Sequence, residues 1–262
     1  MVSRINYSDK KILCILAHPD DESLGTGSTI AYYSKLGVAV SLICATRGER
    51  GRYFDEPSPG PTKVGEVRTQ ELLAAAKILG ITNVHFLDYM DGELDAVNPI
   101  EITNRISELI QKISPDIVIS FGPDGAYGHP DHIAISQFSM AAIIDASHKV
   151  QVKKFYYMAW PEEHWKHYTA AFKKLQSKVD GEIRLSVPWP EWAITTRIDT
   201  ATIWETTWKA IQCHKTQLTG YGGLLAVSND DHKKLWGLQE FYRVFSLVNG
   251  GRKVETDLFE GF

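Results

Sequence analysis

The run Ala17-His18-Pro19-Asp20-Asp21-Glu22 puts one imidazole and three carboxylates directly after an apolar stretch, residues 11–16. A buried strand that empties into such a cluster cannot go on packing, because burying unpaired charge is too costly. The cluster is therefore a place where a cation is held. Pro19 biases His18 towards an extended conformation, which lets His18 and Asp21 converge on one ion. Two ligands are too few, since a catalytic metal usually takes three protein groups and keeps one position open for water. Further histidines stand in Gly128-His129-Pro130-Asp131-His132, which follows the apolar run 117–121 and precedes another helical pattern. The same design occurs twice, and it suits a catalytic metal site.

Alternating elements must carry these two clusters. Residues 11–17 read as a buried strand, 24–36 as a helix stopped by Gly37, and 38–45 as a second buried strand. Residues 46–62 hold Gly48, Gly51, Pro57, Pro59, Gly60 and Pro61 among charges and are expected to form a lid over the site. A helix over 65–79 ending at Gly80, a strand over 84–87, a helix over 99–113, a strand over 116–121 and a helix over 132–147 follow. Continuous Val, Ile and Leu strands separated by helices predict an α/β fold with a mostly parallel sheet covered by helices on both faces. In such sheets ligands lie beyond the carboxyl ends of the strands, where both histidine clusters fall. The second half is less regular, with strands expected over 155–160, 183–187, 193–198 and 240–248 and helices over 163–177 and 200–214. Trp160, Trp165, Trp189, Trp192 and Trp204 cluster here, and such clustering is more often core or subunit contact than a sugar platform.

At 262 residues, 44% hydrophobic and 23% charged, the chain can bury one large core. A single domain over 1–262 is expected, with its core at 11–148 and an elaboration at 149–262. The net charge of −4 provides no basic footprint for nucleic acid. Cys14, Cys44 and Cys213 stand singly in or near apolar runs, which signals neither a disulfide framework nor a thiolate metal site and fits a reducing cytoplasm. No apolar segment follows a basic start, and nowhere do about 18 apolar residues run together, so neither signal peptide nor membrane span is expected.

Together, Ala17 to Glu22, Thr46-Arg47-Gly48-Glu49, the stretch 68–80 and Gly128 to His132 resemble the LmbE/PIG-L family of zinc-dependent de-N-acetylases. His214 with Gln217 resembles a weaker C-terminal motif of that family. The resemblance implies a Rossmann-like fold, one zinc held by His18, Asp21 and His132, and hydrolysis of the acetamide of an N-acetylglucosamine-type sugar or glycoside. Fe2+ or another divalent ion would suit the same ligands. It also implies a small-molecule substrate, such as an N-acetylglucosaminyl inositol or malate, a chitooligosaccharide or an antibiotic sugar, and a homo-oligomer. The residue types suit that chemistry, because an amide resists water and needs an activated nucleophile, an oxyanion partner and an acid. Asp20, beside a ligand but free of the ion, is placed to take a proton from water and return it to the leaving nitrogen. His129 would face the tetrahedral intermediate as a protonated or donating imidazole, with Asp131 orienting it or another histidine.

Arg68, Tyr127, Asp91 and His214 are candidates for substrate contacts. Each has a plainer reading: Arg68 could pair with Glu71, Asp91-Gly92 is also a turn signal, and Tyr127 could simply pack. His85, His148, His164, His167 and His232 read as structural or solvent-facing. Two histidines and a carboxylate also ligate iron in non-haem oxygenases, but the additional Asp20 and His129 favour hydrolysis. A nucleotide-binding module resting on Gly25-Thr26-Gly27 lacks the third glycine and the ribose acid. A non-catalytic sugar-binding relative would have no use for an intact acid and base.

Overall fold

The branched apolar run after Lys11 forms β1 (Lys11–Leu16), buried on both faces. The chain is seen in a computed structural model that describes residues 6–172, 176–179, 181–185, 187–221 and 223–262. Helix α1 (Asp21–Lys35) begins inside the first cluster and not at Leu24. Asp21 and Glu22 put negative charge in its first turn, where the free N–H groups favour it. Gly25 and Gly27 therefore lie within the helix and form no phosphate loop. After β2 (Ala39–Thr46), α2 (Pro61–Leu79) starts at a proline whose missing N–H is harmless in a first turn. Strand β3 (Ile81–Tyr89) is longer than expected: it is a half-exposed edge, and its polar residues break the hydrophobic pattern.

Helix α3 (Pro99–Ile113) is capped by Asn98, whose side chain accepts from the N–H groups of Ile100 and Glu101. Strand β4 (Ile117–Ser120) leads through a kinked turn, α4 (Gly125–Gly128), into α5 (Pro130–Ala146) and then β5 (Lys154–Met158). Helix α6 (Glu162–Phe172) is shorter than the expected 163–177. Residues 173–175 lie outside the described residues, and Gln176 and Ser177 belong to β6 (Gln176–Val179). β6 pairs with β7 (Glu182–Leu185) in a separate antiparallel hairpin. β8 (Thr196–Asp199), α7 (Trp204–Ile211), α8 (Lys215–Leu218), α9 (Asn229–Trp236) and β9 (Leu238–Ser246) complete the chain's regular elements.

The main sheet runs β3-β2-β1-β4-β5-β9-β8. Its first five strands are parallel, β9 is antiparallel to β5, and β8 is antiparallel to β9. The expected parallel sheet is thus extended by two antiparallel strands from the second half. Because crossovers are right-handed, the leftward moves from β1 to β3 and the rightward moves from β3 to β5 place their helices on opposite faces. α1, α2 and α7 pack together on one face, and α3 packs on α5 on the other. β1 and β4 are neighbours, Leu13 opposite Val118, and their chains leave in opposite directions. That switch point is a crevice between the two strand ends that bear the histidine clusters. No helix among the described residues is long and apolar enough to cross a membrane.

Candidate metal centre and active site

His18 leaves the end of β1, and Asp21 opens α1. Asp21 Oδ2 accepts the N–H groups of Ala17 (3.1 Å) and His18 (2.8 Å), which folds the carboxylate back over the strand end. His132 stands in the first turn of α5, stacked on Phe121 with ring centroids 3.9 Å apart. Its Nε2 lies 3.1 Å from His18 Nδ1 and 3.4 Å from Asp21 Oδ1, and His18 Nδ1 lies 3.7 Å from Asp21 Oδ2. The three side chains face one another, with Asp21 turning Oδ1 to His132 and Oδ2 to His18.

The outer nitrogens of both rings are already engaged. His18 Nε2 donates to Asp131 Oδ2 at 3.0 Å, with Asp91 Oδ1 at 3.1 Å, and His132 Nδ1 donates to the Gly125 carbonyl at 3.2 Å. With its outer nitrogen so engaged, each ring turns its other nitrogen towards the other, the orientation that metal-binding histidines take from such hydrogen bonds. Gly125 has φ +60, and a Cβ there would lie 2.7 Å from Ile133 Cγ1, so glycine is required at the turn that presents this carbonyl.

Two other groupings bring three potential ligands close: His18 with Asp91 and Asp131, and His18 with His129 and His132. In the first, His18 Nε2 is a donor. Both carboxylates there already accept backbone N–H groups, Asp91 from Arg50 and Asp131 from Gly92 and Leu94. In the second, His129 Nδ1 accepts the N–H of Asp131 at 3.2 Å.

That hydrogen bond leaves the ring proton of His129 on Nε2. Burial, followed by the neighbouring His132 and His18 rings, pushes the His129 imidazole down to about 3, so it is neutral near pH 7. The expected alternative of a protonated ring gives way to a neutral N–H donor. Asp20 sits between β1 and α1 with φ 121, a costly value for a residue other than glycine. Its N–H donates to Glu22 Oε2 (3.0 Å), and its Oδ2 accepts from Arg68 Nη2 (3.0 Å) and the Tyr221 hydroxyl (2.5 Å). Burial raises the Asp20 carboxyl, and the Arg68 charge only partly offsets it.

A family profile described as GlcNAc-PI de-N-acetylase, PIG-L, matches residues 13–143. A 1D-myo-inositol 2-acetamido-2-deoxy-alpha-D-glucopyranoside deacetylase of Kineococcus radiotolerans is 30% identical, over 96% of this chain and 83% of the relative. The chain belongs to the PIG-L family. It is accordingly a deacetylase. The same enzyme of Nocardiopsis dassonvillei is 29% identical over 95% of this chain and its own full length, 100%. Among solved structures, an N,N'-diacetylchitobiose deacetylase of Pyrococcus horikoshii superposes with a TM-score of 0.62 at 20% identity, over 91% of this chain and 85% of that one. A 4-carboxy-2-hydroxymuconate hydratase of Pseudomonas putida superposes with 0.68 at 22%, over 92% and 99%. These two likenesses speak for the fold alone. The hydratase shows that the fold also carries other chemistry, so function has to be argued from the site.

In this PIG-L chain several expected contacts are placed differently. Asp131, expected to orient His129 or another histidine, puts its carboxylate on His18. Arg68 is buried, and its guanidinium is taken up by Pro19 O (2.5 Å), Gly48 O (2.9 Å) and Asp20, so it braces the site from behind and does not reach the cavity. Asp91 is likewise occupied by His18 and the Arg50 N–H. His214 is fully buried, its Nε2 2.8 Å from Glu22 Oε1, out of reach of a sugar hydroxyl. Tyr127 does line the cavity, edge-on to His132 at 5.3 Å.

The loop ahead of α2 is held against Arg68 and Gln217. Gly48 (φ +68) passes so close to Arg68 that a Cβ would meet Nη1, and no residue of 46–62 lines the cavity beside Asp20. The weak C-terminal motif explains how this loop is held. Gln217 brackets the backbone of Arg52, Thr216 O accepts from Phe54 N–H, and Thr216 itself donates twice to Glu71.

Sequence reasoning missed Tyr221, the second donor to Asp20, and the use of Glu22 to hold the Asp20 amide. Trp160 belongs to the hydrophobic core and Trp165 packs against it, as expected, and both also line the cavity together with Tyr168 and Phe172. Only Glu22 carried a signal, as a charge the ion did not need.

Proposed function

We propose that this chain removes the acetyl group from the amine of an N-acetylglucosamine-type sugar, with one zinc ion held by His18, Asp21 and His132, and that residues 1–262 act as one catalytic domain. The observation that carries the reading is the meeting of the His18 and His132 rings and the Asp21 carboxylate beside a buried Asp20. The unbroken sheet from β3 to β8 supports the single domain. The named substrates of the relatives support the sugar. Zinc, when bound, lowers the pKa of water and polarises an acetamide carbonyl.

The chain's own groups do the rest. Asp20 accepts the proton of the attacking water on a carboxylate whose raised pKa suits both steps, then delivers it to the amine nitrogen as that leaves. Arg68 and Tyr221 fix its orientation, and Tyr221 keeps a neutral hydroxyl because burial and Asp20 raise its pKa. His129 offers Nε2–H to the oxyanion from a neutral ring. Asp131 and Asp91 hold His18 in the tautomer that leaves Nδ1 open.

The oxygenase reading has no support in the family assignment. Acetate release from a panel of N-acetylated amino sugars, with and without a chelator, tests the proposal: turnover is expected only without chelator. His132→Ala is expected to lose the ion along with activity, measured by metal analysis. Full metal occupancy in that variant would remove His132 as a ligand.

A further inference from the structure

Helix α6 carries Trp165, Tyr168 and Phe172 on one face, a spacing that aligns side chains along a helix. Their rings form an aromatic ledge along the cavity that begins at Asp20, Asp21 and His132. Trp165 stacks on Tyr168 at 6.1 Å and 7°, and Tyr168 on Phe172 at 5.6 Å and 17°. The cavity measures ≈ 270 Å³, just under the roughly 300–1,000 Å³ of ordinary small-molecule sites, which suits one sugar ring and leaves an aglycone at the mouth. Much of its wall is carbon, and several of its polar side chains are already engaged. The Tyr168 hydroxyl donates to Leu24 O at 2.9 Å, and the Tyr221 hydroxyl donates to Asp20. Gln176 is different. It opens β6, and its carboxamide is the only one among the described residues that line the cavity. That carboxamide makes no hydrogen bond with any described residue. The hairpin holds it in place: the next residue, Ser177, is buried, and Arg184 across from it packs on Gly128, where a Cβ would lie 2.7 Å from the Arg184 Cβ. Glycine at 128 (φ +77) thus lets β6 and β7 close on the turn between Tyr127 and His129.

We propose that Gln176 is a specificity-determining residue whose carboxamide hydrogen-bonds a ring hydroxyl of the N-acetylglucosamine unit, while the acetamide stands at Asp20 and His132. The proposal rests on the deacetylase reading above. A hydroxyl that leaves water for a cavity walled by carbon must find a partner there, because an unpaired one is costly. An amide offers both an acceptor oxygen and donor hydrogens, so it serves a hydroxyl in either sense. Tyr127, edge-on to His129 at 5.8 Å and to His132 at 5.3 Å, belongs to the end where the acetamide reacts. Gln176 is exposed and stands at the mouth, whereas Asp21 and His132 are buried. Inositol glycosides fit this arrangement, because the contact is to the sugar and the polyol remains in the open mouth.

The test uses the zinc-loaded full chain and measures acetate release from N-acetylglucosamine, from its analogues that each lack one ring hydroxyl, and from its inositol glycoside. In the parent, one analogue is expected to fall below N-acetylglucosamine in kcat/KM by about three- to tenfold, the worth of one neutral hydrogen bond, mainly through KM. Gln176→Met keeps the length of the side chain without its amide. In that variant N-acetylglucosamine should fall by the same factor and that analogue no further, so that their ratio closes to about one. Ratios in Gln176→Met equal to those of the parent would overturn the assignment and leave the deacetylase standing. N-acetylglucosamine and the inositol glycoside should lose alike, and a loss confined to the inositol glycoside would put the contact on the aglycone and overturn the sugar-hydroxyl assignment. Acetate from none of the substrates in the parent would overturn both readings. Because each ratio compares two substrates on one preparation, partial misfolding cancels.

Discussion

In the first half of the chain the polar groups of the site sit at strand ends and helix starts. His18 and Asp21 follow β1, and His129, Asp131 and His132 follow β4. In the second half the contributions come from turns and from helix faces: Tyr221 donates to Asp20, His214 meets Glu22, Thr216 meets Glu71, and α6 supplies the aromatic ledge. The first half sets out the reacting charges, and the second holds them in place and walls them in. Its strands β8 and β9 are also secured from below. Buried Glu255 pairs with Lys154 (2.7 Å) and Arg243 (2.6 Å) and accepts from Tyr156, Thr196 and Asn249. The division teaches that groups close together in sequence can supply the charges of a site while groups far away in the chain orient them.

The largest effect should come from the first half. Asp20→Asn is expected to lower turnover by about 10²–10⁴-fold with the metal retained. Asparagine tolerates the positive φ, so the variant should fold. Turnover near that of the parent would remove Asp20 as the base.

Breaking the support of the second half should act on stability and not on chemistry. Glu255→Ala leaves two buried cations without their carboxylate and should cost about 3–5 kcal/mol in urea unfolding. Burial alone would raise the Glu255 pKa, but the hydrogen bonds from Asn249, Lys154, Thr196 and Tyr156 outweigh it and hold the carboxyl below its ordinary value. A depressed carboxylate contributes stability above its unfolded pKa of about 4.5 and loses it as pH falls through the folded value. The acid limb of the stability profile should therefore be shallower in Glu255→Gln than in the parent.

The smallest effect sharpens the comparison at the seam between the halves. His214→Phe removes the imidazole from Glu22, whose other oxygen holds the Asp20 amide. A drop in kcat of about tenfold, with KM and metal content nearly unchanged, is expected from the loss of one buried charged hydrogen bond. Partial rescue by His214→Gln would mark His214 as a positioning residue. An equal loss in both variants, matched by a fall in Tm, would leave it only a structural one.

Much of the parallel sheet could be read from the chain because β1, β2 and β4 are buried on both faces and show continuous apolar runs. β3 was underestimated because an edge strand tolerates Thr82, Asn83 and His85. The helix expected over 163–177 failed at Gln176, where pairing with Leu185 across the hairpin decides for strand. That His18, Asp21 and His132 would come close together was legible because both clusters sit at the ends of neighbouring strands. Arg68 and His214 carried family signals and Asp91 stood in a turn signal, but a motif names a residue without naming its partner. Each proved to face inward.

The chain alone determined where charge is concentrated and which segments must be buried, since both follow from residue type and local period. It could not decide which nitrogen of His18 meets Asp131, what holds Asp20 at φ 121, or that α6 lies beside the site. Those depend on groups such as Asp131, Glu22, Tyr221 and Trp165 meeting across the sheet and its helices. Contacts between residues far apart in sequence are selected by packing and by the need to pair buried polar atoms, and neither requirement leaves a periodic trace along the chain.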